Sequence, residues 1–441
     1  MTALDKKRRI RRLVAPEAKE ASRLASRIWE LAEPPFQEKE SAGLLADYLG
    51  SRGFRVTFPF RMVPTAFKAV KGKGKPVIGM LGEYDALPDC GEKPGTYGHA
   101  CGHNLLGVAG AVGAAAAARL LEQKNRAGRV VYWGCPAEEA LAGKVYMARD
   151  GGFRGMDACL CWHPGGETAV KAAGGSALDS LVFEFRGQTA HGAYAHAGRS
   201  ALDAAVLMDV AVNYLREHVP ENVRIHCVIR DGGNAPNVVP EHANIWYYVR
   251  AKDRAEVDAV AQRLVCCAKG AAMATETKVR FKKITAMYNR LQNATLAELV
   301  RDNLVLMGAP RATETDRKRV RKLGKKPTFA KSVQREIGSE PGRASSDEDS
   351  VSWLAPLGGF TVACVAQGTR GHHRDYTRQS NLPFAHRGMM RAAEVLVATA
   401  WDLFTNGRLL RKARAEFEKG TQGFRYGPLI PRNQRPPVKG V

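Results

Sequence analysis

Apolar residues follow two patterns along the chain, and together the patterns predict that strands alternate with helices. Continuous apolar runs, typical of strands buried on both faces, occupy residues 76–81, 129–134 and 157–162. Apolar residues at helical spacing fill residues 16–32, 39–52 and 105–121. Strands that alternate with helices build a mostly parallel or mixed sheet with helices packed on it. The predicted fold class is therefore α/β, with a central mixed sheet flanked by helices.

The order of the elements changes near residue 181. Strand-like runs there occupy residues 181–187, 223–229, 242–250 and 277–281, and two helical stretches separate them in the order strand, helix, strand, strand, helix, strand. This order is typical of a small two-layer α+β domain. After residue 292 the chain returns to the alternation of strands and helices that is seen before residue 181. We therefore predict a catalytic domain formed by residues 1–180 and 292–441, into which residues 181–291 are inserted.

The 441 residues carry a formal net charge of +23, and part of the excess lies in two basic clusters. One cluster is the N-terminal segment 6–12, and the other lies at 317–326 within a polar, Pro- and Gly-containing segment, 308–344. We interpret them as a solvated tail and a surface loop rather than a nucleic-acid site, because neither interleaves aromatic residues that stack on bases. No apolar run has the length of a membrane span, and nine scattered cysteines suggest reduced thiols. A cytoplasmic protein is expected.

The stretch GHACGHN, residues 98–104, places His99, Cys101 and His103 directly before an Ala-rich helical run. Thiolate and imidazole are the side chains that zinc-like metals prefer. The glycines between them let the backbone approach an ion closely, and a helix start adds free N–H groups. The alternative is a buried cysteine beside two surface histidines.

The ends of three successive predicted strands carry further candidate ligands, which are Glu83 and Asp85, Glu138 and Glu139, and His163. Adjacent acids such as Glu138 and Glu139 repel each other, and a nearby cation resolves that repulsion. The alternative for this pair is a helix start, where acids are also favoured. Because the carboxyl ends of parallel strands meet at one edge of a sheet, the three strand ends together predict a metal centre.

The motifs in chain order are GEYDALP, GHACGHN, PAEEA, WHP, AHGAYAHAGRSALDA, GGNAPNVVPE, SSDEDSVSW and GHH followed by AHRGM. This ordered set resembles the dinuclear-metal amidohydrolases that include aminoacylase, hippurate hydrolase and carboxypeptidase G. Within that family the likeness is greatest to the aminobenzoyl-glutamate hydrolases, and it runs from about Trp29 to the Pro-rich tail. The resemblance implies a catalytic α/β domain with an inserted α+β lid domain, in agreement with the pattern of elements.

The resemblance also implies a role for each matching residue. Two divalent metal ions, zinc or manganese, would be ligated by Cys101, His103, Glu139, His163 and His372. Glu138 would be the general base, and Asp85 would orient a ligand histidine. Substrate would be contacted by residues of the inserted domain, namely His191, His226, Asn237 and Arg250. In relatives the counterpart of His226 reaches the partner subunit's site, so a homodimer or a pair with a homologous second subunit is implied.

Several of these assignments have alternatives. His373 competes with His372, although the register against AHRGM favours His372. His191 is equally compatible with a packing role in the inserted domain, and Arg250 with a structural role at a strand end. Ala195 replaces a proline that is usual in the family, and the segment 308–344 is unusually basic. These departures leave the metal centre intact and the substrate open.

These expectations combine in a two-metal amidohydrolase that cleaves the amide of an anionic N-acyl amino acid, with an aroyl-glutamate as the expected substrate. Two alternatives share the metal centre, a dipeptidase and an enzyme that removes the amino group of an aromatic amino acid such as a nitroanthranilate. A nucleic-acid-binding protein on an inactive scaffold is a different class. The intact ligand set and Glu138 argue against that class.

Overall fold

The computed structural model describes residues 2–171, 174–338 and 344–438. The helices are α1 (Ala3–Val14), α2 (Ala18–Leu31), α3 (Lys39–Ser51), α4 (His103–Gln123), α5 (Gly143–Arg149), α6 (Ala201–Leu215), α7 (Arg254–Ala274), α8 (Ala294–Met307), α9 (Glu314–Lys322), α10 (Glu348–Val351), α11 (Arg374–Gln379), α12 (Pro383–Thr405) and α13 (Gly407–Gly420). The strands are β1 (Arg55–Thr57), β2 (Phe67–Lys73), β3 (Val77–Glu83), β4 (Gly128–Cys135), β5 (Ala158–Gly165), β6 (Ala169–Val170), β7 (Ala177–Arg186), β8 (Arg224–Asp231), β9 (His242–Ala251), β10 (Lys278–Met287) and β11 (Leu357–Ala363).

The larger sheet has the strand order β1-β2-β4-β3-β5-β11-β6. Its central strands β4, β3, β5 and β11 are parallel to one another, and β1, β2 and β6 pair antiparallel at the edges. Every residue of β3 is buried, as expected for a strand covered on both faces. Hydrophobic clusters lie on both sides of the sheet. The predicted α/β class with a mixed sheet between helices is confirmed.

Helix α4 lies at the centre of the core and packs against β3 and α12. Small side chains allow a close approach, since a Cβ on Gly107 would lie 2.6 Å from the carbonyl oxygen of Glu83. The expectation that no apolar run has the length of a membrane span is wrong for this helix, which is long and apolar enough to cross one, but 94% of its most apolar window is buried inside the protein. A core helix accounts for that hydropathy, and the cytoplasmic location stays a prediction.

The second sheet is antiparallel, with the order β10-β7-β9-β8. Helices α6 and α7 pack against each other and against the strands, and Phe183, Met208 and Leu264 belong to the buried cluster between the two layers. This is the two-layer α+β arrangement that the order of elements predicts. The boundaries at residues 181 and 291 remain a prediction, and the strands of this sheet run from Ala177 to Met287.

Two segments were assigned wrongly from the sequence. The basic N-terminal segment is not a solvated tail but helix α1, which buries Ile10, Leu13 and Val14. Only three residues form the apolar stripe of this helix, and the many charged residues around them obscure the helical pattern in the sequence. The segment 308–344 is not a continuous loop, because it contains α9, whose start is closed by reciprocal hydrogen bonds between Thr313 and Asp316. Residues 339–343 of that prediction lie outside the described residues. Helices α5, α11 and α13 were not predicted.

Candidate metal centre

The metal centre is built at the carboxyl ends of β3, β4 and β5, which are neighbours in the order β4-β3-β5. His103 is the first residue of α4, directly after Gly102. Gly102 has a φ of +78°, and a Cβ there would lie 2.6 Å from the ring of Pro164. This turn therefore requires glycine, and it brings the end of the GHACGHN stretch against the end of β5.

Asp85 orients His103 towards a group of carboxylates. The Nδ1–H of His103 donates to Asp85 Oδ1 at 2.9 Å, and the other oxygen of Asp85 accepts the Glu139 N–H at 2.9 Å. His103 Nε2 then lies 3.3 Å from Glu83, 3.8 Å from Glu139 and 4.0 Å from Glu138. Burial lowers the pKa of His103 and the Asp85 carboxylate raises it, and the net result is well above the usual range. A proton and a metal ion thus compete for the same nitrogen.

Candidate ligand atoms form three groups, and within each group the atoms lie no more than 4.8 Å apart. The groups are Cys101–His103–His163, Cys101–Glu139–His372 and Glu83–His103–Glu138. The structure therefore brings together all five residues that were expected to bind metal. The first two groups share Cys101. His163 Nδ1–H donates to the Pro164 carbonyl at 2.7 Å, which leaves Nε2 3.2 Å from the sulfur of Cys101. Burial lowers the pKa of His163 to about 4, so the ring is neutral, the form that binds metals.

Unpaired buried atoms are a second observation indicating that these residues bind divalent metal ions. Glu139 Oε1 and His103 Nε2 are buried and have no hydrogen-bond partner among the described residues. Burial raises the pKa of Glu139 well above its usual range, and the neighbouring Glu138 carboxylate adds to the rise. Buried polar atoms without partners are costly. Because cations compensate such carboxylates, these sulfur, nitrogen and oxygen atoms fit the ligands of zinc or manganese.

The structure distinguishes the histidines that sequence alone left in competition. His372 Nε2 lies 3.4 Å from Glu139 Oε2. His373 instead faces Asp375, whose backbone N–H donates to its Nδ1 at 3.1 Å and so caps α11. His99 also lies outside the groups, because its Nε2 contacts the Ile28 carbonyl at 2.9 Å within the core. Only Cys101 and His103 of the three residues in GHACGHN converge on the centre.

Glu138 is partly buried and belongs to the third of these groups. Ser346 Oγ donates to Glu138 Oε1 at 2.7 Å. The other oxygen, Oε2, is the one that lies 4.0 Å from His103 Nε2. One carboxylate oxygen is therefore held in place while the second faces the candidate ligands, which is the arrangement that a general base beside a metal site requires.

A buried lysine, which the sequence analysis did not identify, forms ion pairs with two carboxylates at the centre. Lys144 of α5 is fully buried, with its Nζ 2.6 Å from Glu83 and 2.5 Å from Asp347. Burial lowers the pKa of Lys144, but Asp347 and Glu83 raise it more, so the net pKa is well above the usual range. Glu83 could be suspected from its place at a strand end, whereas Lys144 lies in a short helix without any recognisable pattern.

Of the inserted-domain residues expected to contact substrate, Arg250 is half-buried at the end of β9. Burial lowers its pKa below the usual range, and Tyr248, followed by the Glu138 carboxylate, opposes this effect more weakly. His226 is exposed on the edge strand β8, opposite Tyr248. His191 and Asn237 are also exposed, and their hydrogen bonds are with the loop after His191, since His191 Nδ1 accepts the Ala193 N–H and the Asn237 carbonyl accepts the Gly192 N–H. Within the described ranges these three residues make no hydrogen bond to the metal-centre residues.

Cys101 provides a test of metal ligation that does not depend on activity. Burial, followed by the Glu139 carboxylate, raises the pKa of the Cys101 thiol, whereas a coordinating metal deprotonates and shields it. We expect iodoacetamide to alkylate Cys101 much faster in metal-stripped than in metal-loaded protein. The rate in stripped protein should increase with pH, because only the thiolate reacts. Peptide mass spectrometry after timed quenching measures both rates.

The exposed Cys227 and Cys266 are internal controls for this experiment. Their alkylation should proceed at the same rate in both forms of the protein, because neither belongs to a candidate ligand group among the described residues. Equal rates at Cys101 with and without metal would contradict ligation. A change at all three cysteines would instead indicate that stripping loosens the fold.

Comparison with known proteins gives four likenesses. Residues 176–275 match the family model described as the M20 peptidase dimerisation domain. The chain is 36% identical over 472 residues to one of the subunits of p-aminobenzoyl-glutamate hydrolase from Escherichia coli K12, with 94% of this chain and 96% of that protein covered. It is 28% identical to the Xaa-Arg dipeptidase of Mus musculus, with 93% and 92% covered. A Bacillus subtilis dinuclear metal binding peptidase from the M20 family has the same fold, with a TM-score of 0.59, 18% identity and coverage of 89% and 99%.

Proposed function

The chain belongs to the M20 family of metal-dependent amidohydrolases and peptidases, and on this premise we propose that it hydrolyses the amide of an aroyl amino acid. The proposed substrate class is that of aminobenzoyl-glutamate, which the name of the Escherichia coli relative specifies. The observation that carries the proposal is the position of Glu138, held by Ser346 at 2.7 Å and facing the candidate ligand groups.

Two divalent metal ions are part of the proposal. They would be held by Cys101, His103, Glu139, His163 and His372, the residues of the first two ligand groups. The thiolate of Cys101 favours zinc, whereas the imidazoles and carboxylate also suit manganese. When bound, such a metal pair acts as a Lewis acid and lowers the pKa of water towards neutrality.

The protein groups have separate tasks in this reaction. Glu138 accepts a proton from the attacking water and returns it to the leaving nitrogen, and Ser346 keeps the carboxylate in position. Asp85 fixes the ring of His103 and the backbone of Glu139 together. Arg250, half-buried at the end of β9, would bind a carboxylate of the substrate through its planar pair of N–H donors.

A second subunit completes the proposed site. Strand β8 is an edge strand with exposed Val228 and Ile229, and α6 beside it exposes Val210 and Tyr214, which is 73% exposed. Unpaired strand edges with apolar side chains are favourable surfaces for association, and the match to a peptidase dimerisation domain covers both elements. We infer that another copy, or a homologous second subunit, packs here and that His226 serves the partner's site. There its imidazole would donate to the oxyanion that forms in the transition state.

Matched amides of one substrate test the proposed recognition by Arg250. The α-amide and the γ-amide (benzoyl-glutamine) of benzoyl-glutamate each lack one of its two negative charges. We expect the kcat/KM of benzoyl-glutamate to be at least about tenfold above that of the amide that lacks the charge bound by Arg250. Arg250→Met should remove that preference and leave metal content unchanged. A preference that survives the substitution in full would assign the carboxylate to another cation.

The identity of the released amine separates the candidate reactions. An aroyl amidohydrolase releases the amino acid, and a deaminase releases ammonia without an amino acid. The likeness to an Xaa-Arg dipeptidase favours dipeptide cleavage as the second candidate. Faster hydrolysis of a dipeptide with C-terminal arginine than of benzoyl-glutamate, measured on the metal-loaded protein, would replace the proposal by that candidate.

A further inference from the structure

The N-terminal basic cluster borders a cleft that the hydrolytic site does not use, and the second basic cluster, at 317–326, lies outside its lining. Helix α1 contributes Lys7 and Arg11 to the lining, and the segment after α8 contributes Arg311, Lys331 and Arg335. The cleft has a volume of about 1050 Å³. None of its lining residues belongs to a candidate metal group among the described residues. It is therefore a separate feature of the catalytic domain.

The N-terminal half of α12 forms another wall of this basic cleft and adds Arg387 and Arg391. Glu394 is the only carboxylate among the described lining residues, and it is shared, lying 2.8 Å from Arg391 and 3.8 Å from Arg11. Arg387 pairs with Asp316 behind the cleft. Seven cations therefore line a cavity with one carboxylate, and the cavity has an excess of positive charge.

Four of these cations have no ion pair among the residues that the structure describes, namely Lys7, Arg311, Lys331 and Arg335. Burial lowers the pKa of Lys7, and the nearby guanidinium groups of Arg11, Arg391 and Arg311 lower it further. Cations from three separate segments are thus held together against their repulsion, and a bound anion would offset it.

We propose that the basic cleft binds a compact multivalent oxyanion, the oligophosphate part of a small phosphorylated molecule. The volume is in the range of small-ligand sites. Arginine forks match phosphate oxygens bidentately, and each phosphate group concentrates up to two negative charges in a small volume. A single-stranded nucleic acid fits less well, because the described lining contains no Phe, Tyr or Trp on which bases stack. The proposal is independent of the hydrolytic reaction.

Binding of inorganic tripolyphosphate to the full-length protein tests this site. Isothermal titration calorimetry at about 0.15 M salt, where exposed charges are largely screened, should give saturable binding with one site per chain. The double variant Arg311→Glu/Lys331→Glu should bind at least about tenfold more weakly, because two attractive contacts become repulsive. Both side chains are exposed, so the fold should tolerate the change.

The matched control is Lys124→Glu/Arg126→Glu, an equal change of net charge at exposed positions outside the cleft. It should bind tripolyphosphate like the unaltered protein. Equal weakening in both variants would show that net charge alone attracts the anion and would overturn the proposal. Absence of saturable binding would also overturn it, as would tight binding of single-stranded RNA without binding of tripolyphosphate.

Discussion

Replacing Glu138 with Gln should lower turnover by about a hundredfold to ten-thousandfold and leave the bound metal in place. The carboxamide keeps the shape of the side chain but cannot accept the proton of the attacking water, and general-base catalysis contributes on that order. Ser346 can still hydrogen-bond to the carboxamide oxygen, so the side chain should keep its position. Turnover of benzoyl-glutamate and metal content by elemental analysis are the two measurements.

Glu139→Gln is the matched control, because it makes the same chemical change one residue further along the chain. Glu139 belongs to a ligand group with Cys101 and His372, and we expect its substitution to reduce metal content as well as turnover. If Glu138→Gln released metal and Glu139→Gln did not, the roles of the two residues would be exchanged. If both variants kept their metal and their turnover, the proposed mechanism would be wrong.

Replacing His226 with Ala should also lower turnover strongly, by about 3–4 kcal/mol of transition-state stabilisation, and leave metal content unchanged. In one chain His226 is exposed on β8 and belongs to none of the ligand groups. It can act on substrate only if the inserted domain closes or a partner's site receives it. His242, whose Nδ1 pairs with Asp231 at 2.6 Å at the end of the same sheet, provides a control position. His242→Ala should retain most of the turnover.

Mixed dimers determine whether His226 acts across the interface. An equimolar mixture of His226→Ala and Glu138→Gln subunits should recover activity, because one site of each mixed dimer contains Glu138 of one chain and His226 of the other. With random exchange, half of the dimers are mixed and each has one intact site, so roughly a quarter of the wild-type activity is expected. A mixture that stays inactive after verified subunit exchange would show that His226 does not act in trans.

The amino-acid sequence by itself determined the fold class and most of the candidate metal centre. Buried parallel strands are recognisable in the sequence as long apolar runs. The polar residues that follow those runs, such as Glu139 and His163, lie at one edge of the sheet because the strands are parallel. Asp85 closely follows β3, and His103 begins α4, the next helix along the chain. Their places in consecutive elements therefore already suggested that they lie close together. The family resemblance rested on the same short segments.

The tertiary structure alone decided the features that depend on residues far apart in the sequence. The contact of Lys144 with Glu83 and Asp347 joins three segments, and no local period signals such a meeting. His372 and His373 are adjacent, and only the backbone at His372, with a φ of +55°, directs the first towards Glu139 and the second towards α11. The basic cleft likewise requires α1 to pack beside α12 through Ile10, Leu13 and Val14. Helical and strand periods report which face of a segment is buried, but not which distant segment covers it.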